Sequence, residues 1–150
     1  MDQAKLKSLA KAARRGPLWT PGATSTHVAI QRDGIERLIP HRDPFLLIDT
    51  ITDVDFQGQA IRGERWLDPM DAVFGGHFPG RPVYPGVLQI ECIGQLGLCL
   101  LQLLTIGSVK ILPMTQPRDA RAVRVHGAEF FDPVLPGDRQ IGRASCRERV

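Results

Sequence analysis

The sequence predicts an α+β domain in which strands precede and follow one long helix. Residues 87–104 are apolar over about five helical turns, broken by only a few polar side chains. Residues 45–54 form an apolar run rich in Leu and Ile, and residues 60–67 alternate in the way that is typical of a strand. Residues 121–131, after the helix, have a similar strand pattern.

Composition limits the kind of protein. With 150 residues the chain is expected to form one domain, and 43% hydrophobic and 23% charged residues are ordinary for a globular protein. A net charge of +3 suits an anionic partner, but 6% aromatic residues and no basic stripe argue against a nucleic-acid binder. The three cysteines, Cys92, Cys99 and Cys146, lack metal-site spacing and predict reduced thiols in a cytoplasmic protein.

The elements divide the chain into three parts. Residues 1–34 are expected to be a partly flexible N-terminal extension, a short amphipathic helix followed by a linker rich in Pro, Gly and Thr. Residues 35–138 are expected to form the domain, with helical turns at 35–39 and 68–74 and a turn at 133–138. Residues 139–150 show little strand patterning, and we expect them to be an atypical tail.

The polar residues of the long helix share one face. Glu91 and Gln95 are four residues apart, and Gln102 follows seven residues later. A carboxylate in the middle of a membrane costs roughly 2.5–3.5 kcal/mol, so we expect a helix buried in protein and no membrane span. A buried carboxylate must be paired or functional, and burial favours the protonated form that a general acid needs.

A loop at residues 75–86, dense in Gly and Pro, leads into this helix and is expected to be stiff. It carries His77 and ends at Gly86, the predicted start of the helix. Backbone N–H groups at a helix start can polarise a carbonyl oxygen, and a residue without Cβ lets a ligand approach them. A base, an acid and an oxyanion site are therefore predicted around one helix start.

Three segments resemble one known family. GHFPGRPVYPGVLQIECIGQ, residues 76–95, is similar to the most specific motif of the bacterial 3-hydroxyacyl-[acyl-carrier-protein] dehydratases. LIPHRDPFLLIDTI, residues 38–51, resembles that family's opening motif, and FFDPVLPGD, residues 130–138, resembles its motif after the helix. The three occur in family order.

The resemblance implies a hot-dog fold, an antiparallel sheet wrapped around one long central helix. It implies a homodimer, alone or in a trimer of dimers, with a tunnel at the interface where the His comes from one subunit and the acid from the other. Carried over, the catalytic residues are His77 and Glu91, and Glu at 91 is similar to the dehydratase-only branch of the family. Substrate-binding residues are expected to be Gly86, Val87, Gln95, Phe78 and Tyr84.

The implied reaction converts (3R)-3-hydroxyacyl thioesters, carried by acyl carrier protein or CoA, to trans-2-enoyl thioesters without a metal or redox cofactor. Two alternatives stay open, a hot-dog thioesterase and a non-catalytic acyl-binding or assembly subunit. Tyr84 stands where the family commonly has Met, and it either narrows the tunnel or fills space. His41, in the opening motif, is interpreted as structural. The family continues with about two more strands after residue 138, so we expect the sheet here to lack its last strands.

Overall fold

The computed structural model describes residues 3–117, 125 and 127–146. Within them the chain forms four helices and four strands. In chain order these are α1 Gln3–Ala13, β1 Thr26–Gln31, α2 Arg32–Leu38, β2 Thr50–Asp55, β3 Ala60–Trp66, α3 Ala72–Gly76, α4 Gly86–Ile106 and β4 Arg139–Ser145. The four strands form one antiparallel sheet in the order β1-β2-β3-β4, and α4 packs against it. The predicted α+β class is confirmed.

The first strand lies in the segment that was predicted to be an extension. β1 pairs with β2 from Thr26 opposite Val54 to Gln31 opposite Thr50. Val28 and Ile30 alternate with exposed neighbours and pack against the core, which is the period-two pattern of an edge strand with one buried face. The boundary at residue 34 was therefore wrong, because the sheet begins before it and α2 runs across it.

The predicted strand at 45–54 begins only at Thr50, because side chains of α4 occupy the backbone groups before it. Gln95 accepts a hydrogen bond from Leu47 N and donates one to Phe45 O, both at 2.8 Å. The Cys92 thiol donates to Leu47 O at 3.0 Å. Residues 45–49 are thus a largely buried segment that connects α2 to β2 and is held by the long helix.

Two expectations for the C-terminal third have different outcomes. Of the predicted strand at 121–131, residues 121–124 and 126 lie outside the described residues, and residues 127–131 are not in a strand. Arg139–Ser145, expected to lack strand character, pair with β3 along their whole length as β4. Gly142 makes this approach possible, since a Cβ there would lie 3.1 Å from Ile93 Cδ1 and 3.2 Å from Leu96 Cδ2.

Helix α4 confirms the prediction of a long apolar helix. Pro85 is its N-cap, and Gly107 ends it with φ of 70° while donating its N–H to Leu103 O at 2.8 Å. Its buried residues contact β3, β4 and α2, and they are Cys92, Gln95, Leu96, Cys99, Leu100 and Leu103. By length and composition α4 could cross a membrane, but this face packs as a core helix does. Only 33% of the 18-residue apolar stretch of α4 is buried, so the sheet covers one side of the helix in this chain.

Candidate active site

His77 lies where α3 ends, and its ring is held in one orientation. Its backbone N–H donates to Val73 O at 3.1 Å, which makes it the C-cap of α3. Its Nδ1 lies 2.8 Å from Val83 O. Because a carbonyl oxygen can only accept, Nδ1 carries the proton when the ring is neutral, and Nε2 keeps its lone pair. The ring therefore presents Nε2 as a base.

Backbone hydrogen bonds close the loop that carries His77. Val83 N donates to His77 O at 2.8 Å, and inside that pair Arg81 N donates to Phe78 O at 2.9 Å. Gly80 makes the turn with φ of 71°, a conformation that favours glycine. The rings of His77 and Phe78 stack with centroids 4.1 Å apart. These contacts tie the two ends of the loop together, and its stiffness stays a prediction.

A cleft of about 440 Å³ joins this loop to the start of α4. That volume lies in the range of small-molecule sites, roughly 300–1,000 Å³. The cleft is lined by the loop, the first turn of α4 and the segment before β4, through His77, Val83, Tyr84, Gly86, Val87, Gln89, Phe130, Phe131, Asp132 and Pro133. Of the seven predicted site residues, the structure brings His77, Tyr84, Gly86 and Val87 together here.

Gly86 and Val87 open α4 at the floor of the cleft. The hydrogen bonds of the helix start with Leu88 N and Gln89 N, which both donate to Pro85 O. The two N–H groups before them belong to the unpaired first turn of a helix. A Cβ on Gly86 would lie 2.7 Å from Phe130 Cζ, so glycine is needed here for close approach. In this structure the group that approaches Gly86 is the aromatic ring of Phe130.

Glu91 lies elsewhere. It is not among the residues that line the cleft, and its side chain faces residues 41–47. Glu91 Oε1 accepts a hydrogen bond from Gln95 Nε2 at 2.9 Å, and His41 Nε2 lies 3.4 Å from the same oxygen. The side chain of Glu91 is 35% exposed, so the carboxylate is partly open to solvent. The carboxylate is thus held by His41 and Gln95, neither of which lines the cleft.

Gln95 differs from its prediction as a substrate contact. The residue is 1% exposed, and both N–H bonds of its amide are used, one on Phe45 O and one on Glu91 Oε1. Its oxygen accepts from Leu47 N. Gln95 therefore has no N–H free for a ligand, and its hydrogen bonds fasten α4 to the connecting segment and orient the acid.

Tyr84 and Phe78 occupy opposite environments. Tyr84 is 1% exposed and packs with Leu67 and Phe74, although one side of it also lines the cleft. Burial raises the pKa of its hydroxyl. Tyr84 thus both fills space and bounds the cleft. Phe78 is 55% exposed and does not line the cleft.

Sequence reasoning missed two contributors to this geometry. Val83 acts through its backbone carbonyl, which no side-chain pattern reveals. His41 was interpreted as structural, and the structure places it beside Glu91. The signal available in the sequence was its presence in the motif at 38–51, whose backbone Gln95 and Cys92 hold.

Comparisons with known proteins agree with this architecture. A family model described as the FabA-like domain matches residues 39–144. The 3-hydroxyacyl-[acyl-carrier-protein] dehydratase FabZ of Campylobacter jejuni is 38% identical over 105 residues, which are 70% of this chain and 68% of that protein. The proteins of the same name from Thermomicrobium roseum and Xanthomonas oryzae pv. oryzae are each 41% identical, over 73% and 69% of this chain and 70% and 64% of their own lengths. The fold predicted as hot-dog is thereby confirmed, and the chain belongs to the FabA-like family.

Proposed function

We propose that this chain is a dehydratase that converts (3R)-3-hydroxyacyl thioesters to trans-2-enoyl thioesters. One observation carries the proposal most directly. His77 Nδ1 lies 2.8 Å from Val83 O, which leaves Nε2 as the basic atom of the ring. His77 also lines a cleft that holds the start of α4. The relatives named above are 3-hydroxyacyl-[acyl-carrier-protein] dehydratases, and this chemistry is the one their names state.

The proposed reaction uses a base, the first N–H groups of α4 and an acid one turn further along that helix. His77 Nε2 takes the proton from C2 of the substrate, and the N–H groups of Gly86 and Val87 hold the negative charge that develops on the thioester oxygen. The C3–O bond then breaks, and Glu91 gives its proton to the departing hydroxide, which leaves as water. One hydroxyacyl thioester gives one enoyl thioester and one water, and a proton then returns from His77 to Glu91 by way of solvent, which restores both groups for the next turnover.

We also propose that the acid comes from a second copy of the chain. Glu91 does not line the cleft that holds His77, and its side chain is engaged by Gln95 and His41, which do not line it either. Apolar side chains at the edge of the site are open, with Phe78 55% and Val87 71% exposed. A homodimer, alone or within a trimer of dimers, would cover them and supply Glu91.

Carrier and compartment follow from charge and cysteine chemistry. A chain of net charge +3 is suited to an acidic carrier, and we propose acyl carrier protein, with CoA as the alternative. The three cysteines are free, as is usual in a reducing cytoplasm, where fatty-acid or polyketide-type synthesis would use the enzyme.

The decisive assay is hydration of a crotonyl thioester, the reverse reaction. Loss of the enoyl absorbance with an intact thioester identifies a dehydratase. Release of free thiol would instead identify a thioesterase, and no turnover would leave an acyl-binding subunit. His77→Ala and Glu91→Gln are each expected to lower the rate by about 10²–10⁴-fold, the usual contribution of a general acid or base.

Subunit mixing tests where the acid comes from. A heterodimer of His77→Ala and Glu91→Gln chains has one site with both groups and one with neither. Random mixing makes half of the dimers heterodimers, so about a quarter of the wild-type rate should return. No return of activity after confirmed subunit exchange would contradict a shared site.

A further inference from the structure

We propose that His41 is a positioning residue for Glu91: with Gln95 it holds the Oε1 oxygen and leaves Oε2 to carry the proton that is transferred. The inference rests on the proposed function and adds a residue to it. It starts from one contact, His41 Nε2 to Glu91 Oε1 at 3.4 Å, in a place where sequence reasoning expected only a structural histidine.

The two contacts to Glu91 meet on one oxygen. Gln95 Nε2 donates to Oε1 at 2.9 Å, and His41 Nε2 approaches the same atom. Within the part of the chain that the structure describes, no hydrogen bond to Oε2 is found. A carboxylate held in this way carries its charge mainly on the paired oxygen, so the proton of the acid form resides on the other. That arrangement suits a group that must deliver a proton outward.

The surroundings of His41 assign its tautomer. Its Nδ1 is buried and has no hydrogen-bond partner among the described residues. A proton on Nδ1 would leave a buried donor unpaired and would turn the lone pair of Nε2 toward a carboxylate oxygen, which is repulsive. We therefore assign the proton to Nε2, which faces Glu91. The contact of 3.4 Å is long for a hydrogen bond, and contacts at active sites commonly tighten when substrate binds.

The ring of His41 is held by the same segment that holds Gln95. It stacks on Phe45 with centroids 6.4 Å apart and an angle of 24° between the planes. The carbonyl of Phe45 accepts a hydrogen bond from Gln95 Nε2. His41, Gln95 and Glu91 thus share one support, and a shift of residues 41–47 would move both groups that orient the acid.

The experiment compares two substitutions that differ in one property. His41→Phe keeps the ring and its stacking on Phe45 but removes the N–H, whereas His41→Gln returns an amide N–H near the position of Nε2. In crotonyl-thioester hydration we expect His41→Phe to lower kcat by about 10- to 100-fold with little change in KM, because misplacement of a catalytic group by 1 Å can cost about 10²-fold. His41→Gln is expected to recover most of that loss.

A matched control and a double substitution separate positioning from folding. His27 also pairs with a carboxylate, its Nδ1 lying 3.1 Å from Asp53 Oδ1, but it lies on β1 away from Glu91, and His27→Phe should not change kcat. In a Glu91→Gln background His41→Phe should cost nothing further, since the residue acts only through Glu91. An equal loss in both backgrounds would overturn the proposal, and so would a His41→Phe enzyme with the wild-type kcat.

A measurement without turnover keeps this inference apart from the proposed function. The carboxyl ¹³C resonance of Glu91, assigned by its loss in Glu91→Gln, is expected to move at fixed pH in His41→Phe and to return toward its wild-type position in His41→Gln. A resonance that ignores both substitutions refutes the contact, whether or not the protein hydrates crotonyl thioesters. Inactive wild-type protein would refute only the proposed function, and the resonance would still test His41.

Discussion

Replacing Gln95 with Leu tests the connection between α4 and the segment at residues 45–49. Gln95 makes three hydrogen bonds, to Leu47 N and Phe45 O at 2.8 Å and to Glu91 Oε1 at 2.9 Å. Leucine is similar in size and apolar, so packing is largely kept while all three bonds are lost. The Leu47 N–H is left buried without a partner, which costs about 1–3 kcal/mol. Phe45 is more exposed to solvent, and its carbonyl oxygen loses a hydrogen bond that contributes about 0.5–1.5 kcal/mol.

The expected loss in the free energy of unfolding is therefore about 1.5–4.5 kcal/mol. Urea denaturation followed by circular dichroism gives this value as a lower midpoint at an unchanged slope. Gln102→Leu is the matched control, because Gln102 lies on the same helix and makes one exposed hydrogen bond, to Gln116 O at 3.1 Å. If the two variants unfold at the same urea concentration, Gln95 does not fasten α4 in the way described.

Three further predictions concern the sheet, the core and pH. Gly63→Ala should destabilise the fold by about 1–3 kcal/mol, because its Cβ would lie 2.8 Å from Leu96 Cδ1 and 3.2 Å from Thr50 O. Gly75→Ala is the control: a Cβ there meets open space, so stability should change by about 0.5 kcal/mol or less. Leu100→Ala should lower the free energy of unfolding by about 2–5 kcal/mol, since Leu100 is fully buried. Leu101 is 37% exposed, so Leu101→Ala should lower it by about 1 kcal/mol or less. Equal urea midpoints within the glycine pair or within the leucine pair would contradict these packing assignments. At Asp53, burial raises the carboxyl pKa, but hydrogen bonds and an arginine charge outweigh burial and lower it below 3.8. The ionised group therefore stabilises the fold above that pH, so Asp53→Asn should be less stable than wild type at pH 7, and the difference should shrink as the pH falls through the lowered pKa; a difference that is constant from pH 7 to pH 2 would be contrary to this expectation.

The features predicted well are those with a dense local signal. The apolar run of α4 and its glycine stop are visible within one stretch of sequence, and the loop before it is marked by Pro and Gly. His77 and Glu91 were selected because a helix start with a glycine lies between them. Each of these signals depends on residues close to one another in the chain.

The features missed depend on partners far apart in sequence. β1 is short and has one buried face, so its pattern was lost in a segment rich in turn residues, and only pairing with β2 defines it. Residues 46–48 are as apolar as a strand, yet Gln95 and Cys92, on a helix more than forty positions away, take the backbone groups that a neighbouring strand would have used. His41 was placed beside Glu91 by the same long-range packing.

Two hydrogen bonds between His77 and Val83 close the loop and orient the imidazole without using any side chain at the tip of the loop. The orientation of the imidazole depends on a carbonyl and an amide of the main chain, which every residue at position 83 provides except proline, which lacks the amide. The side chain of Arg81, at the tip of the loop and exposed, takes no part in holding the base. The exposed tip of the loop can therefore change its side chains without altering the hydrogen bonds that orient the imidazole. The charge of the surface and the orientation of the base can vary independently within twelve consecutive residues.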